Sequence, residues 1–443
     1  MFYRKDAILA VVAGILANAG FVLADNTQSQ GPLSLTTVTA DAVAADSGPS
    51  GLLMQGLDKI GVGDPLRKAD INIYGWLETG YTFDARHHKG TFITPGPFNH
   101  EYNARDGSFS GGGDRNHLML NQVALCFERQ VNFSPDKWDV GGMVEIMYGT
   151  DSNAIHANGL GLGFNGADDR FNPQYQPDIV QAYIDVNVPV GNGLKLRAGK
   201  QVNFMGVETI DPRGNAFYSH SYLFAAMPST LTGLVGFYPV NDQWLIALGF
   251  TRGWDQCLQD NNGSSIDVVG RIAYTPNKQW SAVLNFASGP ENNFDSSHYR
   301  TAIDSILSWQ PTDPLKLGLE ITYVYDGGIQ GDRLAGFTHA YGDVWGSYAY
   351  GSYTINDYVT ANARLGFLHN FVTANAFNVW DFTLGVTVKP FPKDPIGKNL
   401  IIRPEVRYSY AETNLYPVVS GDGSNTRFFR DQLTFGADVV FSF

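Results

Sequence analysis

Alternating hydropathy in many short segments, short turns that trade places with longer loops, and a last strand ending on Phe443 predict an all-β fold. The expected form is a transmembrane antiparallel up-and-down β-barrel of about 16 strands, with short periplasmic turns and long external loops. The last stretch sets the pattern. Leu433, Phe435, Ala437, Val439, Phe441 and Phe443 occupy one parity, and Gln432, Thr434, Gly436, Asp438, Val440 and Ser442 the other. Successive side chains of a strand point to opposite faces, so this segment has one apolar and one mostly polar face. An aromatic end gains from a membrane boundary, where its ring is half-buried. This strand is expected to close the barrel by pairing with residues 71–83.

Composition fits that class and excludes others. The chain has 443 residues, 30 Lys and Arg, 43 Asp and Glu, and a net charge of −13. An acidic chain of this kind is not a nucleic-acid partner, since phosphate binding needs a basic surface. Charged residues are only 16% and aromatics 13%, while mean hydropathy is −0.15. A barrel whose strands each hide an apolar face behind a polar one gives such an average. Cys126 and Cys257 form neither a CxxC pair nor a zinc motif, and no cofactor or metal is expected.

Along the chain, residues 1–24 read as a cleavable signal peptide. Arg4 and Lys5 precede an apolar run over 7–16, and Val22-Leu23-Ala24 offers a cleavage site. Residues 25–69, rich in Ser, Thr, Ala, Gly and Asp, read as a flexible periplasmic segment. Within it Leu52, Leu53, Met54, Leu57 and Ile60 would line one face of a short helix. Residues 70–443 are the barrel. Segment 71–83 sets Ile71, Ile73, Leu77 and Tyr81 against Asn72, Glu78 and Thr82. Segment 117–131 sets Val123, Leu125, Phe127 and Val131 against Gln122 and Glu128. Segment 138–149 sets Val140, Val144, Ile146 and Tyr148 against Asp139 and Glu145. Val180, Ala182, Ile184, Val186 and Val188 face away from Gln181, Asp185 and Asn187. Leu194, Leu196, Ala198 and Val202 oppose Lys195, Arg197, Gln201 and Asn203. Lys200 falls on the apolar parity, so either a bulge turns it inward or it snorkels to headgroups. Segment 315–326 is the cleanest, with Leu315, Leu317, Leu319, Ile321, Tyr323 and Tyr325 opposite Lys316, Glu320, Thr322 and Asp326. Segment 400–410 repeats it with Leu400, Ile402, Val406 and Tyr408 opposite Arg403, Glu405 and Arg407. The faces of 340–354 are not distinguishable, because Tyr, Gly and Ser fill both.

Turn chemistry recurs at Ser134-Pro135-Asp136, Gly191-Asn192-Gly193, Val240-Asn241-Asp242, Pro276-Asn277-Lys278, Pro311-Thr312-Asp313, Asn356-Asp357 and the longer 390–398 piece. Longer loops are expected near 84–115, 150–176, 206–228, 254–264, 289–298, 327–340, 370–376 and 413–427. Trp138, Trp244 and Trp280 each follow a turn, which suits an aromatic girdle at a lipid boundary.

From about residue 71 to 443 the chain resembles the OmpL-like β-barrel porin family. The resemblance rests on Ile73-Tyr74-Gly75-Trp76-Leu77-Glu78, on Leu196-Arg197-Ala198-Gly199-Lys200, and on Gly206-Val207-Glu208-Thr209-Ile210-Asp211-Pro212 with Asn215, Tyr218, Ser219 and Ser221. It implies an outer-membrane porin for small hydrophilic solutes or ions, surrounded by lipid in a Gram-negative-type envelope. The ending looks like the insertion signal of such barrels, which gives Phe441 and Phe443 a role with the barrel-assembly machinery. Many porins of this size are homotrimers. By analogy the third long loop, 206–228, would fold inward, with Glu208, Asp211, Arg213, His220 and Tyr222 at the constriction. Lumen-facing Arg271, Arg364, Arg403 and Arg407 would form a basic wall, opposite an acidic one of Glu78, Glu128, Glu145 and Asp185, with Glu405 also inward. The acidic excess by itself suggests weak cation preference. Two other roles fit a barrel. One is structural or adhesive. The other is hydrolytic, for which Ser219-His220-Ser221 is the one tempting cluster; His87-His88 lacks a third ligand at metal spacing.

Overall fold

The structure, a computed structural model, describes residues 51–85, 118–160, 175–258, 265–292, 295–329, 340–372, 376–419 and 426–443. The expected signal peptide, the first half of the 25–69 segment and His87-His88 lie outside the described residues. Eight strands form the first half of the sheet: β1 (Ile71–Asp84), β2 (Met119–Arg129), β3 (Asp139–Gly149), β4 (Gln176–Val188), β5 (Leu194–Val202), β6 (Thr230–Pro239), β7 (Trp244–Trp254) and β8 (Asp267–Asn277). The second half is β9 (Trp280–Asn292), β10 (Asp295–Thr312), β11 (Leu315–Ile329), β12 (Ala340–Asn356), β13 (Val359–Val372), β14 (Phe377–Val388), β15 (Leu400–Ala411) and β18 (Asp431–Ser442). These 16 strands close into one antiparallel barrel, with β18 seated between β15 and β1. Closure leaves the sheet no unpaired edge, which is what a lipid environment demands of it. A separate hairpin, β16 (Tyr416–Val419) and β17 (Thr426–Phe429), stands in the β15–β18 loop.

Several local expectations are corrected. The connection expected over 289–298 is mostly strand, because β9 and β10 continue to Asn292 and from Asp295. The ambiguous 340–354 segment is β12, in which alternate positions point in and out despite their similar residues. Val180 is fully buried rather than outward. The β3–β4 register slips there, with Glu145 opposite Gln181 and Ile146 opposite Ile179, so Val180 is the extra residue of a bulge. Lys200 also turns inward, close to that bulge. Its Nζ donates to the Ile179 carbonyl at 2.6 Å and lies 3.4 Å from Asp178 Oδ2, and the preceding Gly199 has φ +134°. Val131 lies past the end of β2 and is buried.

Within the segment expected to be flexible, residues 51–69 are helical. Helices α1 (Leu52–Lys59) and α2 (Gly63–Lys68) pack on the start of β1. Met54 is fully buried, its Sδ 3.4 Å from the Ile73 amide, and Arg67 bridges Asp58 and Asp64. Asp70 makes the corner into β1 with φ +57°, a conformation that Asp tolerates better than most residues.

The outer face is apolar: Leu77, Val140, Ile184, Leu248, Phe250, Leu365 and Phe382 are all exposed. Trp138, Trp244 and Trp280 sit exposed at the turn end of the barrel. Trp244 stacks on Tyr274 at 4.3 Å and Trp280 on Trp309 at 5.0 Å. At the seam, Phe443 and Gly75 exchange two backbone hydrogen bonds of 2.9 Å. The Phe443 ring lies over Gly75, where a Cβ would come within 2.7 Å of it and 2.3 Å of the Ala124 carbonyl. Gly75→Val is therefore expected to lower the yield of closed barrel at least as much as deletion of Phe443. The heat-modifiable fraction on electrophoresis measures both; full yields of both variants would show that this seam does not limit assembly.

Candidate functional site

The β5–β6 connection, residues 203–229, lies inside the barrel. Its path is set locally. Asn203 Oδ1 accepts from the Met205 amide at 2.9 Å, and Gly206 turns with φ +85°. Thr209 and Asn215 bond reciprocally at 2.9 and 2.7 Å around a 3-10 turn, Pro212–Gly214, which Asp211 caps. Ser221 caps a four-residue helix at Tyr222–Ala225.

The lumen-facing positions of the strands take up the backbone groups this loop leaves open. Asp304 of β10 accepts from the Gly206 amide at 2.9 Å, and Glu320 of β11 from Val207 at 3.4 Å. Gln122 of β2 donates to the Ile210 carbonyl at 2.9 Å. Arg403 of β15 donates to the carbonyls of Pro212 and Asn215 at 2.6 and 2.7 Å. Glu405 accepts from the amides of Tyr218 and Ser219 at 2.9 and 3.2 Å. Arg364 of β13 donates to the Ser219 carbonyl at 2.6 Å, and Arg407 to that of His220 at 2.9 Å. The Tyr222 amide donates to the Tyr348 hydroxyl of β12 at 3.1 Å. Buried backbone groups are expensive unless paired, so each contact is a condition for the loop to sit here.

This corrects the picture of facing basic and acidic walls. Arg403 contacts both Glu78, at 3.4 Å, and Asp438, because closure makes β1, β18 and β15 neighbours. Arg407 pairs with Asp381, and Arg364 with Glu208 at 2.7 Å. All three arginines are buried beneath the loop. Asp185 is held by Arg197 through two bonds of 2.8 Å, and Arg197 lies on the Tyr183 ring. Glu145 accepts from Gln181 at 2.7 Å and Glu128 from the Tyr74 hydroxyl at 3.0 Å. Arg271 is buried 5.9 Å from the Phe204 ring. Opposite charges are thus interleaved strand by strand.

Of the five loop residues singled out from sequence, Asp211 and Arg213 pair with each other at 2.7 Å, and Arg213 lies 4.2 Å from the Trp76 ring. Glu208 takes Arg364 and the Ser221 amide, with His220 Nδ1 3.4 Å away. His220 stacks on Phe224 at 4.1 Å, Ser219 Oγ accepts from Arg364 at 3.1 Å, and the Tyr222 and Tyr416 hydroxyls are 3.3 Å apart. Tyr218 stands in the family motif, but sequence reading gives it no role in the site. Its ring fills a notch on the seam, where a Cβ on Gly80 would lie 2.2 Å from it and one on Gly436 3.2 Å. Glycines at inward parity on β1 and β18 were the available signal.

Apolar packing fixes the rest of the loop. Met205 and Met227 join inward Val235, Leu245, Val269, Ala287 and Ala302, while Ile210 joins Tyr74, Trp76 and Cys126. Between the loop and the turn end remains a cavity of about 650 Å³, lined by loop residues 207–208 and 213–217, by residues of β10 to β15 and Ser442 of β18, and by the β12–β13 and β14–β15 connections.

Residues 70–443 match the family described as "Putative beta-barrel porin-2, OmpL-like". The chain belongs to this family. It is an outer-membrane porin, a passive channel. No curated protein sequence matches it. Among solved structures, it is similar to the outer-membrane channel DcaP of Acinetobacter baumannii, with 13% identity, a TM-score of 0.51, and 84% of this chain and 97% of that one covered. It is also similar to Pseudomonas putida OprB, with 11% identity, a TM-score of 0.51, and 87% and 97% covered. The Salmonella typhi OmpF complex with daunomycin gives 11% identity, a TM-score of 0.51, and 84% and 97% covered. These likenesses are of fold.

Burial alone would raise the Glu208 carboxyl of this porin, but Arg364 and His220 outweigh it and bring the group from 4.5 down to about 2. A lowered folded value stabilises above the unfolded value and is lost as pH falls through the folded one. Between about pH 4.5 and 2 the porin is expected to lose on the order of 3 kcal/mol through this group. Denaturation of the wild type and Glu208→Gln in detergent across that range measures it; parallel curves would remove Glu208 as the anchor.

Proposed function

We propose that this porin passes small hydrophilic solutes by diffusion, and that loop 203–229 constricts the passage. The observation carrying this is the attachment of the loop across the lumen by Arg364, Arg403 and Arg407, beside a cavity that reaches the turn end. Glu208, Asp211, Arg213, His220 and Tyr222 act mainly by holding the loop's shape, and Glu208 and Arg213 also line the cavity. We place the turns, with Trp138, Trp244 and Trp280, at the periplasmic boundary, and the long loops outside. In this reading residues 1–24 direct export in a Gram-negative-type cell, Phe441 and Phe443 engage the assembly machinery, and lipid covers the apolar outer face. A homotrimer is the assembly we expect, and mass measurement in detergent distinguishes it from a monomer.

In planar bilayers the purified porin should give stepwise currents, and liposomes should swell in small sugars or amino acids. A correctly folded barrel that is silent in both assays would favour the structural or adhesive role. Removing one partner of a buried pair strands the other charge at a cost of about 3–5 kcal/mol. Arg364→Ala and Arg403→Ala are therefore expected to loosen the loop, raise single-channel conductance by about twofold or more, and add current noise. Unchanged conductance with both variants would show that the loop does not set the narrowest point.

A further inference from the structure

We infer that the vestibule at the turn end gives this porin a preference for small organic anions. The inference rests on the channel reading above and concerns the cavity of about 650 Å³ between the loop and the turns. Three of its lining residues are lysines: Lys316 on β11, Lys389 just after β14, and Lys398 before β15. Lys316 shares the inward parity of Glu320, is half-buried, and lines this space. Among the described residues neither Lys316 nor Lys389 makes an ion pair.

That separates them from the arginines deeper in the barrel. Arg197, Arg213, Arg364, Arg403 and Arg407 each contact a carboxylate, so their fields largely cancel within a few ångströms. The cavity also holds two acids. Glu208 is matched by Arg364, and Asp357 is exposed on the β12–β13 turn. Even with Lys398 set aside, Lys316 and Lys389 stand against Asp357 alone, and the balance is positive.

The net charge of −13 does not decide the matter. At physiological ionic strength fields fade over about 8 Å, so a solute in the vestibule senses its lining and not the distant loops. A cleft with low-dielectric walls concentrates the counter-ion of its lining charges. Lysine suits transit, because an ammonium on a flexible stem attracts an anion without the fixed two-point grip of a guanidinium. The neutral part of the lining, including Asn215, Asn362, Ser352 and Thr387, offers hydrogen bonds to hydroxyl groups. Hydroxylated carboxylates match both features.

The test uses the whole folded barrel in planar bilayers, with gradients of potassium chloride and potassium gluconate. Wild type should show a reversal potential of the anion-selective sign and carry gluconate current. Lys316→Gln with Lys389→Gln should lower the chloride-to-potassium permeability ratio by at least about twofold per charge, and Lys316→Arg with Lys389→Arg should restore it. A conducting wild type that prefers potassium, or a Gln double variant with an unchanged ratio, overturns the inference while leaving the channel intact. Silent bilayers containing heat-modifiable barrel overturn the channel reading and this inference with it.

Discussion

The interior of this porin depends on the pairing of three buried arginines with carboxylates and loop carbonyls at once. Arg364, Arg403 and Arg407 stand on β13 and β15, and each reaches both an acid and a backbone oxygen of residues 212–220. A guanidinium carries five donors in a fixed fork, so it can satisfy an acid and a carbonyl together. Lysine could neutralise the acids but would satisfy fewer of the carbonyls. Because such charges cost several kcal/mol to bury unpaired, the loop and the wall stabilise one another or neither does.

Around that attachment the barrel divides its lumen by chemistry. On one side Met205, Met227, Leu231, Val235 and Phe237 pack as in a soluble core. On the other, Tyr222, Leu223 and Tyr348 form a mixed cluster with Tyr416 of the β16–β17 hairpin. The open volume is left toward the turns, beside β10 to β14. A loop held by apolar contact on one flank and by charged hydrogen bonds on the other cannot slide, since the two patterns do not interchange. That attachment holds the loop residues that line the cavity, Glu208 and Arg213 among them, in set positions.

The seam has a related construction. Glu78 and Gly80 on β1, Gly436 and Asp438 on β18, and Arg403 and Glu405 on β15 meet where the last strand returns to the first. Tyr218 from the loop enters the glycine notch, and Arg403 spans the same strands from the other direction. The loop therefore touches the closure of the barrel as well as its lumen, and strand pairing and loop docking reinforce each other there.

Much of the fold was legible in the sequence, because a strand facing lipid on one side must alternate, and alternation survives in one dimension. The strands that read most clearly, 315–326 and 400–410, keep an unbroken register with β12 and β18 along their length. Val180 misled a parity reading, since one extra residue in β4 reverses the face of every residue beyond it in that strand, and Lys200 resisted one because β5 turns locally at Gly199, φ +134°. Parity also sets Arg403, Glu78 and Glu145 on the face opposite the apolar residues of their strands. Their partners were not legible. Glu78 and Arg403 are 325 positions apart and meet because the sheet closes, so a reading strand by strand set them on opposite walls. The sequence by itself determined that the chain alternates, closes and spans. The tertiary structure decided which charges cancel within the lumen and which remain to face a solute, because electrostatic pairing acts over a few ångströms and only the closed barrel sets those distances.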